Sequence, residues 1–377
     1  MAAVQRSAIY LRPIVGLGLD TRNIDSQTAV PVAPLCGRQD IAFTHVEVIA
    51  RRSPRRDGAS RCLVPINGTA GLDLDGLGVI GTGEVDAERI KAMHAALVAP
   101  RPPIAGLDMN RTTIMGIVNV TPDSFSDGGS HDTTQAAIDH GLRLADEGAD
   151  ILDIGGESTR PGSDAVQLEE ELRRVIPVIE GLRGKTGKKI SVDTRKAEVM
   201  RQAAKAGADI LNDVSALSHD PEALNAAAET GLPVMLMHAQ GDPKTMNDDP
   251  KYDDVVLDVF DFLEKRIKAC EVSGITRDKI VVDPGIGFGK HLHHNVAVLS
   301  AMSLYHGLGV PVLLGASRKK LIGQICNVDD AKARVPGSLA AALTSVAQGV
   351  QIVRVHDVAA TRQAIAVWHA ALAGSEG

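Results

Sequence analysis

Eight short apolar segments recur at regular intervals after residue 112, and amphipathic stretches separate them. The segments lie at residues 113–120, 151–154, 190–192, 210–211, 234–237, 281–282, 312–314 and 352–355. Helical periodicity is found at residues 134–147, 167–182, 197–206, 221–230, 255–273, 296–305, 337–348 and 358–372. Strands that alternate with helices eight times predict an α/β fold, the (β/α)8 or TIM barrel.

The N-terminal part of the chain has a different pattern from the barrel. It contains short β-like segments at residues 8–11, 45–49 and 62–66 and one helical stretch at residues 84–98. We therefore predict a small, partly β appendage of unassigned function at residues 1–109, and a barrel at residues 110–373. The arginine-rich residues 51–56 suit either a solvated loop or a nucleic-acid contact. The formal net charge of −7 favours the loop.

Composition limits the cellular setting that we expect. The four cysteines form no Cys-x-x-Cys pair, which disfavours a disulfide framework or a structural zinc site. No apolar run reaches the roughly 18 residues of a membrane span, and the N-terminus lacks the layout of a signal peptide. We predict a soluble, cytoplasmic protein with neither a membrane nor a nucleic-acid partner.

Polar residues stand where the apolar segments end. Because the active site of a (β/α)8 barrel lies at the C-terminal ends of its strands, these residues are the candidate site. Asp193, Asn212 and Asp283 follow the third, fourth and sixth segments, and Lys319 follows the seventh. Together they suit a flat heterocycle with a guanidine-like edge, which pairs with a carboxylate. Each aspartate taken singly is equally compatible with a helix N-cap.

A second group of residues is suited to anions. Arg354 and His356 are two residues apart on the last segment, so that both side chains lie on one face of a strand. With Arg160 they would form a cationic patch for a diphosphate, beside Asn119 across the barrel seam. Asn119, at the root of a polar loop, is either an oxygen ligand of Mg²⁺ or a turn-forming residue.

Three other features have weaker interpretations. Residues 285–290 are glycine-rich but lack the spacing of a nucleotide-binding P-loop. His291, His293 and His294 lie in one loop without the cysteines or carboxylates that usually complete a metal site. His238 is either catalytic or part of a structural loop.

Taken together, the residues at the strand ends resemble one known family, dihydropteroate synthase. The matching motifs are residues 119–129, 155–162, 191–194, 211–213, 236–238, 283–290, 317–319 and 354–357. The resemblance covers roughly residues 112–372. Family members join 6-hydroxymethyl-7,8-dihydropterin diphosphate to p-aminobenzoate and release diphosphate, which makes 7,8-dihydropteroate for folate synthesis. The resemblance implies Mg²⁺, an SN1-like reaction and a homodimer, and it places the chain in a family that is a sulfonamide target.

The resemblance also implies a role for each matching residue. The positions that match the pterin pocket are Asp193, Asn212, Met237, Asp283 and Lys319, with Arg160 over the ring. Those that match the diphosphate and Mg²⁺ site are Asn119, Arg354 and His356. Those that match the p-aminobenzoate site and its cover are Phe125, Thr159, Pro161, Phe288 and Ser317. Among these we expect Asp283, Lys319, Arg354 and His356 to be catalytic.

Two other functions remain as alternatives. A pterin-dependent methyltransferase domain has a similar fold and acidic pocket, but methyl transfer needs no diphosphate site such as Arg354 and His356. A non-catalytic paralogue that binds pterin would be expected to have lost part of that site. Turnover by the purified protein distinguishes the three.

Overall fold

A four-stranded sheet precedes an eight-stranded barrel in this chain. The computed structural model describes residues 8–16, 31–51, 58–72, 87–120, 130–158, 165–241, 245–246 and 248–373. Among the helices within these ranges, none is both long and apolar enough to cross a membrane.

The barrel strands are parallel and follow the order that the sequence predicts. They are β5 (Thr113–Asn119), β6 (Ile151–Gly155), β7 (Lys189–Asp193), β8 (Ile210–Asp213), β9 (Val234–Met237), β10 (Ile280–Asp283), β11 (Leu313–Leu314) and β12 (Ile352–Val355). Hydrogen bonds join neighbours in the order β10-β9-β8-β7-β6-β5-β12-β11. An isolated parallel bridge between Val282 and Val312 brings the two ends together. The predicted (β/α)8 barrel is confirmed.

Helices follow the strands on the outside of the barrel. They are α2 (Ser130–Asp146), α3 (Leu168–Arg183), α4 (Ala197–Ala206), α5 (Ala223–Thr230), α6 (Val255–Val272), α7 (Leu292–Ser300), α8 (Lys320–Cys326), α9 (Val335–Val346) and α10 (Val358–Ala373). The prediction of one helix at residues 296–305 is wrong. There α7 starts earlier, where His294 Nδ1 accepts from the His291 backbone N–H at 3.2 Å, and a 3₁₀ helix (Met302–Leu308) follows it. The sequence analysis also missed α8, which has only seven residues.

The predicted N-terminal β region is present. Its strands are β1 (Ala8–Gly16), β2 (Ala33–Pro34), β3 (Ala42–Arg51) and β4 (Ala59–Pro65), and α1 (Ala87–Val98) connects the region to the barrel. Strand β3 is central and pairs in antiparallel fashion with the other three. One continuous apolar cluster contains side chains of both this sheet and the barrel helices. The sheet therefore packs on the barrel and shares its core.

Polar contacts reinforce this packing along α6. The Tyr10 ring meets the Phe260 ring edge-on at 5.4 Å between centroids, and its hydroxyl donates to Asp261 at 2.8 Å. Arg51 donates to Asp258 at 2.6 Å and also pairs with Asp261. The interpretation of Arg51 as the start of a solvated loop is wrong, since its side chain is only 7% exposed. Residues 52–57 lie outside the described residues.

Arg51 provides a test of how firmly the sheet is attached. Replacing Arg51 with methionine should lower the free energy of unfolding by roughly 2–3 kcal/mol, because Asp258 and Asp261 lose a largely buried partner. Arg61 is the matched control, since it also reaches the start of α6, at Asp254, but is 41% exposed. Arg61→Met should cost less than about 1 kcal/mol. Urea denaturation measures both, and equal losses would contradict a buried ionic seam.

Candidate active site

Inward-facing side chains change from apolar to polar along the barrel strands. An apolar layer at the lower end contains Met115, Ile151, Ile210, Met235, Val281, Leu313 and Ile352, and Ile104 and Met109 pack against it. Alternate residues of a strand share a face, so the residues two positions later form the next layer towards the C-terminal ends. Its members include Asp153, Asn212, Met237, Asp283, Gly315 and Arg354. The candidate site therefore lies on a packed apolar floor.

Arg354 connects two acidic residues inside the barrel. Its Nε donates to Asp153 Oδ2 at 2.6 Å, and its Nη2 donates to Asp193 Oδ2 at 2.9 Å. Strands β12 and β7 are separated by β5 and β6, so the second bond crosses the interior. Asn212 Nδ2 donates to Asp153 Oδ2 at 3.2 Å. The four side chains form one hydrogen-bonded group on four strands.

Asp153 is a residue that the sequence analysis missed. It lies within an apolar strand instead of at its end, and it is completely buried. The alternation Ile151, Asp153, Gly155 was the available signal, because it places the carboxylate on the same face as the apolar floor.

The charges of this group influence one another strongly. Burial raises the pKa of Asp193 to about 7; Arg354 opposes this rise and the nearby Asp153 reinforces it. Burial alone would lower the pKa of Arg354, but the Asp153 and Asp193 carboxylates outweigh it and raise the pKa. The arginine therefore stays charged, and it favours the ionised form of Asp193 against the effect of burial.

Asp283 and Lys319 form a second charged group beside the first. Asp283 Oδ1 accepts a hydrogen bond from the Gly285 N–H at 2.7 Å. Lys319 Nζ donates to the Ile286 carbonyl and lies 4.4 Å from the centroid of the Phe288 ring. Burial lowers the pKa of Lys319 to about 8, although Asp283 favours its charged form. Burial also raises the pKa of Asp283, and Lys319 counteracts this.

Other predicted residues line the rim. His356 Nδ1 lies 3.1 Å from Ser317 Oγ, which also accepts from the His356 backbone N–H at 3.2 Å. Asn119, the last residue of β5, is partly exposed, and Met237, the last residue of β9, is buried. Asn119 and Met237 end their strands, and Ser317 and His356 follow the ends of β11 and β12.

Comparison with known proteins agrees with this geometry. A sequence model described as pterin binding enzyme matches residues 115–356. The dihydropteroate synthase of Escherichia coli K12 is 51% identical over 270 residues, which are 72% of this chain and 95% of that protein. The chain belongs to the dihydropteroate synthase family. Its members are transferases, and the Haemophilus influenzae enzyme is 47% identical over 70% of this chain and 95% of its own length.

Solved structures of the family have the same fold. A Xanthomonas albilineans dihydropteroate synthase with 4-aminobenzoic acid has a TM-score of 0.69 at 54% identity, over 73% of this chain and 98% of that one. The Yersinia pestis synthase with a sulfonamide drug has a TM-score of 0.68 at 48% identity, over 71% and 96%. The family match begins at residue 115, after the N-terminal sheet.

The position of Arg354 relative to Asn119 differs from the sequence prediction. Strand β12 pairs with β5 as predicted, but Arg354 is level with Met115, deeper in the barrel than Asn119. The guanidinium binds acidic side chains there, which the diphosphate prediction did not include. Four predicted residues lie outside the described residues: Phe125, Thr159, Arg160 and Pro161.

The alternative metal site at the histidines finds no support in the described residues. None of their histidines, cysteines and acidic residues form a group of three or more that could hold a metal ion. His291, His293 and His294 instead start α7 and line a cleft of about 540 Å³ with Tyr252. That cleft contains none of the predicted site residues.

Gly315 forms part of the site wall, and its lack of a side chain leaves room there. A Cβ at this position would lie 3.6 Å from Asp283 Oδ2 and 3.9 Å from Lys319 Nζ, which are ordinary contact distances. Gly315→Ala should change the free energy of unfolding by less than about 0.5 kcal/mol. It should weaken pterin binding about tenfold by occupying ligand volume. Calorimetry measures binding, Gly184→Ala in open space is the control, and unchanged affinity would place the ligand elsewhere.

Proposed function

We propose that this chain condenses 6-hydroxymethyl-7,8-dihydropterin diphosphate with p-aminobenzoate, which yields 7,8-dihydropteroate and diphosphate for folate biosynthesis. The observation that carries the proposal is the pair of charged groups, Asp153–Arg354–Asp193 and Asp283–Lys319, on the apolar barrel floor. Xanthomonas albilineans synthase structures with 4-aminobenzoic acid and with 7,8-dihydropteroate support this choice of substrate and product.

Pterin recognition would use the buried polar residues. Asp283 Oδ2, for which the described residues show no hydrogen-bond donor, would accept from the N–H and NH₂ groups of the pterin edge, beside the Oδ1 that accepts from the Gly285 N–H. Asn212 adds an amide that both donates and accepts. Lys319, with a pKa of about 8, is mostly an ammonium at neutral pH and would donate to a ring acceptor.

Diphosphate binding would use the residues of the last strand and its neighbour. The two bonds to Asp153 and Asp193 use two of the five guanidinium N–H groups of Arg354, so others can donate to a phosphate oxygen. His356 at the rim would add a further donor.

Asn119 would hold Mg²⁺. The partly exposed amide at the end of β5 and the lack of a three-residue ligand group among described residues fit an ion that phosphates largely coordinate. When bound, Mg²⁺ supplies positive charge that stabilises a departing diphosphate.

The chemistry would be SN1-like. The difficult step is cleavage of the C–O bond at the pterin methylene, and Asp283 would stabilise the positive charge that develops on the ring. The neutral aryl amine then attacks without a general base and loses its proton afterwards. Phe288 and Ser317 would line its site. Phe125, Thr159 and Pro161, which lie outside the described residues, would help to exclude water from the cation.

Diphosphate release tests the proposal directly. The protein is mixed with dihydropterin diphosphate and Mg²⁺, with and without p-aminobenzoate, and both products are measured. Release that depends on p-aminobenzoate and yields dihydropteroate supports the synthase. Tight pterin binding without release would contradict it and favour a non-catalytic paralogue; methyl transfer to a corrinoid would favour the methyltransferase.

We also propose that the protein is a cytoplasmic homodimer, as its resemblance to the family implies. Sedimentation at micromolar concentration should show a dimer, and a monomer alone would contradict this part of the proposal.

A further inference from the structure

Lys290 is a buried lysine that the proposed reaction does not use. Its side chain is at the end of the glycine-rich segment 285–290, and the residue is only 4% exposed. Its Nζ donates to the carbonyls of Gly285 at 2.8 Å and Phe288 at 3.1 Å. It also lies 2.9 Å from His238 Nδ1. An ammonium has three N–H groups, so the three acceptors match its full donor capacity.

The segment that Lys290 binds is packed tightly on the loop after β9. Gly285 has φ +71°, and a Cβ there would lie 1.9 Å from the His238 carbonyl oxygen. Gly289 has φ +58°, and a Cβ there would lie 2.3 Å from the Gln240 carbonyl oxygen. The Tyr252 hydroxyl donates to the Gly289 carbonyl at 2.7 Å. Only glycine permits the two backbones to approach so closely. In this arrangement the carbonyls of Gly285 and Phe288 accept from Lys290.

The groups that bind Lys290 also hold Asp283. The Gly285 N–H donates to Asp283 Oδ1 at 2.7 Å, and the His238 N–H donates to the Asp283 carbonyl at 2.9 Å. The third acceptor belongs to Phe288, whose ring lies against Lys319. Two contacts of Lys290, Gly285 and His238, therefore bind Asp283 of the pterin site directly, and the third is the backbone of Phe288, which is assigned to the p-aminobenzoate site.

We propose that Lys290 is a positioning residue for pterin binding, which acts by fixing Gly285, Phe288 and His238 so that Asp283 keeps its orientation. The inference rests on the proposed function, because it takes Asp283 as the pterin-binding carboxylate. The Lys290 Nζ is occupied by two carbonyls of the glycine-rich segment and by His238, so the segment binds its own lysine in this structure. His238, whose catalytic role was open, is its buried acceptor.

The electrostatics agree with this geometry. Burial, and then the neighbouring Lys290, hold the pKa of His238 well below its usual value, so the ring is neutral and its Nδ1 can accept. Burial also lowers the pKa of Lys290 to about 7, while Asp283 favours its charged form.

A double-mutant cycle tests the proposal. Lys290→Met leaves three buried acceptors without a donor, and kcat/KM for dihydropterin diphosphate should fall about 100-fold as Asp283 shifts. In an Asp283→Asn background the same change should cost less than about threefold, because its effect passes through Asp283. Pterin affinity by calorimetry should follow the same pattern. Full additivity of the two changes would overturn the proposal.

Matched variants separate positioning from general damage. Lys279→Met is the control, since Lys279 also donates to a backbone carbonyl, that of Gly231 at 2.8 Å, but at an exposed position; it should keep full activity. His238→Asn retains an acceptor near the Nδ1 position and should stay within a few-fold of the parent, whereas His238→Ala should lose about tenfold.

The two His238 variants keep the proposal testable even when Lys290→Met fails to fold. Equal activity of His238→Asn and His238→Ala would overturn it. A parent protein that neither binds pterin nor releases diphosphate would instead refute the proposed function.

Discussion

Replacing Arg354 with methionine should produce the largest loss of activity in this protein. We expect kcat/KM to fall by at least about 10³-fold, because the variant loses the partner of Asp153 and Asp193 and, under the proposed function, the cation that binds the leaving group. The fold should also lose about 3–5 kcal/mol, since two buried carboxylates remain without a counter-charge. Diphosphate release and urea denaturation measure the two effects.

The pH dependence of the Arg354→Met stability loss has a defined sign. Without the guanidinium, the pKa of Asp193 in the folded state, which burial already raises to about 7, rises further above that of the unfolded chain. This part of the cost is therefore absent well below pH 7, where Asp193 is protonated in the folded state of both proteins, and it grows as the pH rises above 7. A loss of equal size at pH 4 and pH 8 would contradict a buried ionic origin.

A second substitution separates stability from catalysis. Asp153→Asn in the Arg354→Met background removes one of the uncompensated charges and should restore about half of the lost stability. It should restore no turnover, because the cation is still missing. Recovery of activity in the double variant would mean that Arg354 has only a structural role.

Exchange of Asp283 for asparagine should give the second-largest effect. Asparagine retains an oxygen for the Gly285 N–H but loses the charge. Pterin affinity should fall about 10–100-fold, which is the loss expected when one hydrogen bond to a charged group is removed. The fall in kcat/KM should exceed the fall in affinity, because the charge that develops in the transition state is no longer stabilised. Calorimetry and steady-state kinetics give the two numbers.

The Asp283→Asn variant should also change the pH profile. The Asp283 carboxylate favours the charged form of Lys319, whose pKa is about 8. Without it the pKa of Lys319 falls, so the alkaline limb of the activity profile moves towards neutral pH. An unchanged alkaline limb would show that Lys319 does not control it.

Asp213 is the matched control for Asp283. It is also buried at the end of a barrel strand, but it accepts from the Ser215 and Leu217 N–H groups in a local turn. Asp213→Asn should reduce stability and leave pterin affinity within about twofold. A similar loss of affinity in both variants would indicate a general response of the barrel.

The sequence predicted the barrel well because its signals are local. Each strand is a short apolar run, and the residue at its end identifies the face of the active site. The alternative that Asp193 is a helix cap could not be decided from the sequence. In the structure a distant residue, Asp220, accepts from the Ala197 N–H at the start of α4, and Asp193 binds Arg354.

The features that the sequence analysis missed depend on contacts between distant segments. Asp153 pairs with Arg354, 201 positions later in the chain, and no local pattern specifies that pair. Arg51 likewise binds Asp258 and Asp261 across more than 200 residues. Its neighbours in sequence are polar and predicted a solvent-exposed loop instead. Lys290 received no role from the sequence, where its segment was recognised only as lacking P-loop spacing, because one of its partners, His238, lies 52 positions earlier in the chain.

The shared core of sheet and barrel has a consequence for how such a chain evolves. Phe260 and Tyr305 are fully buried among the outer elements of the barrel, where Tyr10 and Ile9 of the N-terminal sheet are buried as well. Once a barrel presents apolar side chains to receive an added sheet, loss of that sheet exposes them to water and to other molecules. An addition of this kind is therefore entrenched: deletion is harmful even if the sheet never contributes to catalysis. Transplanting α6 into a relative without the sheet would bring the same liability to the recipient.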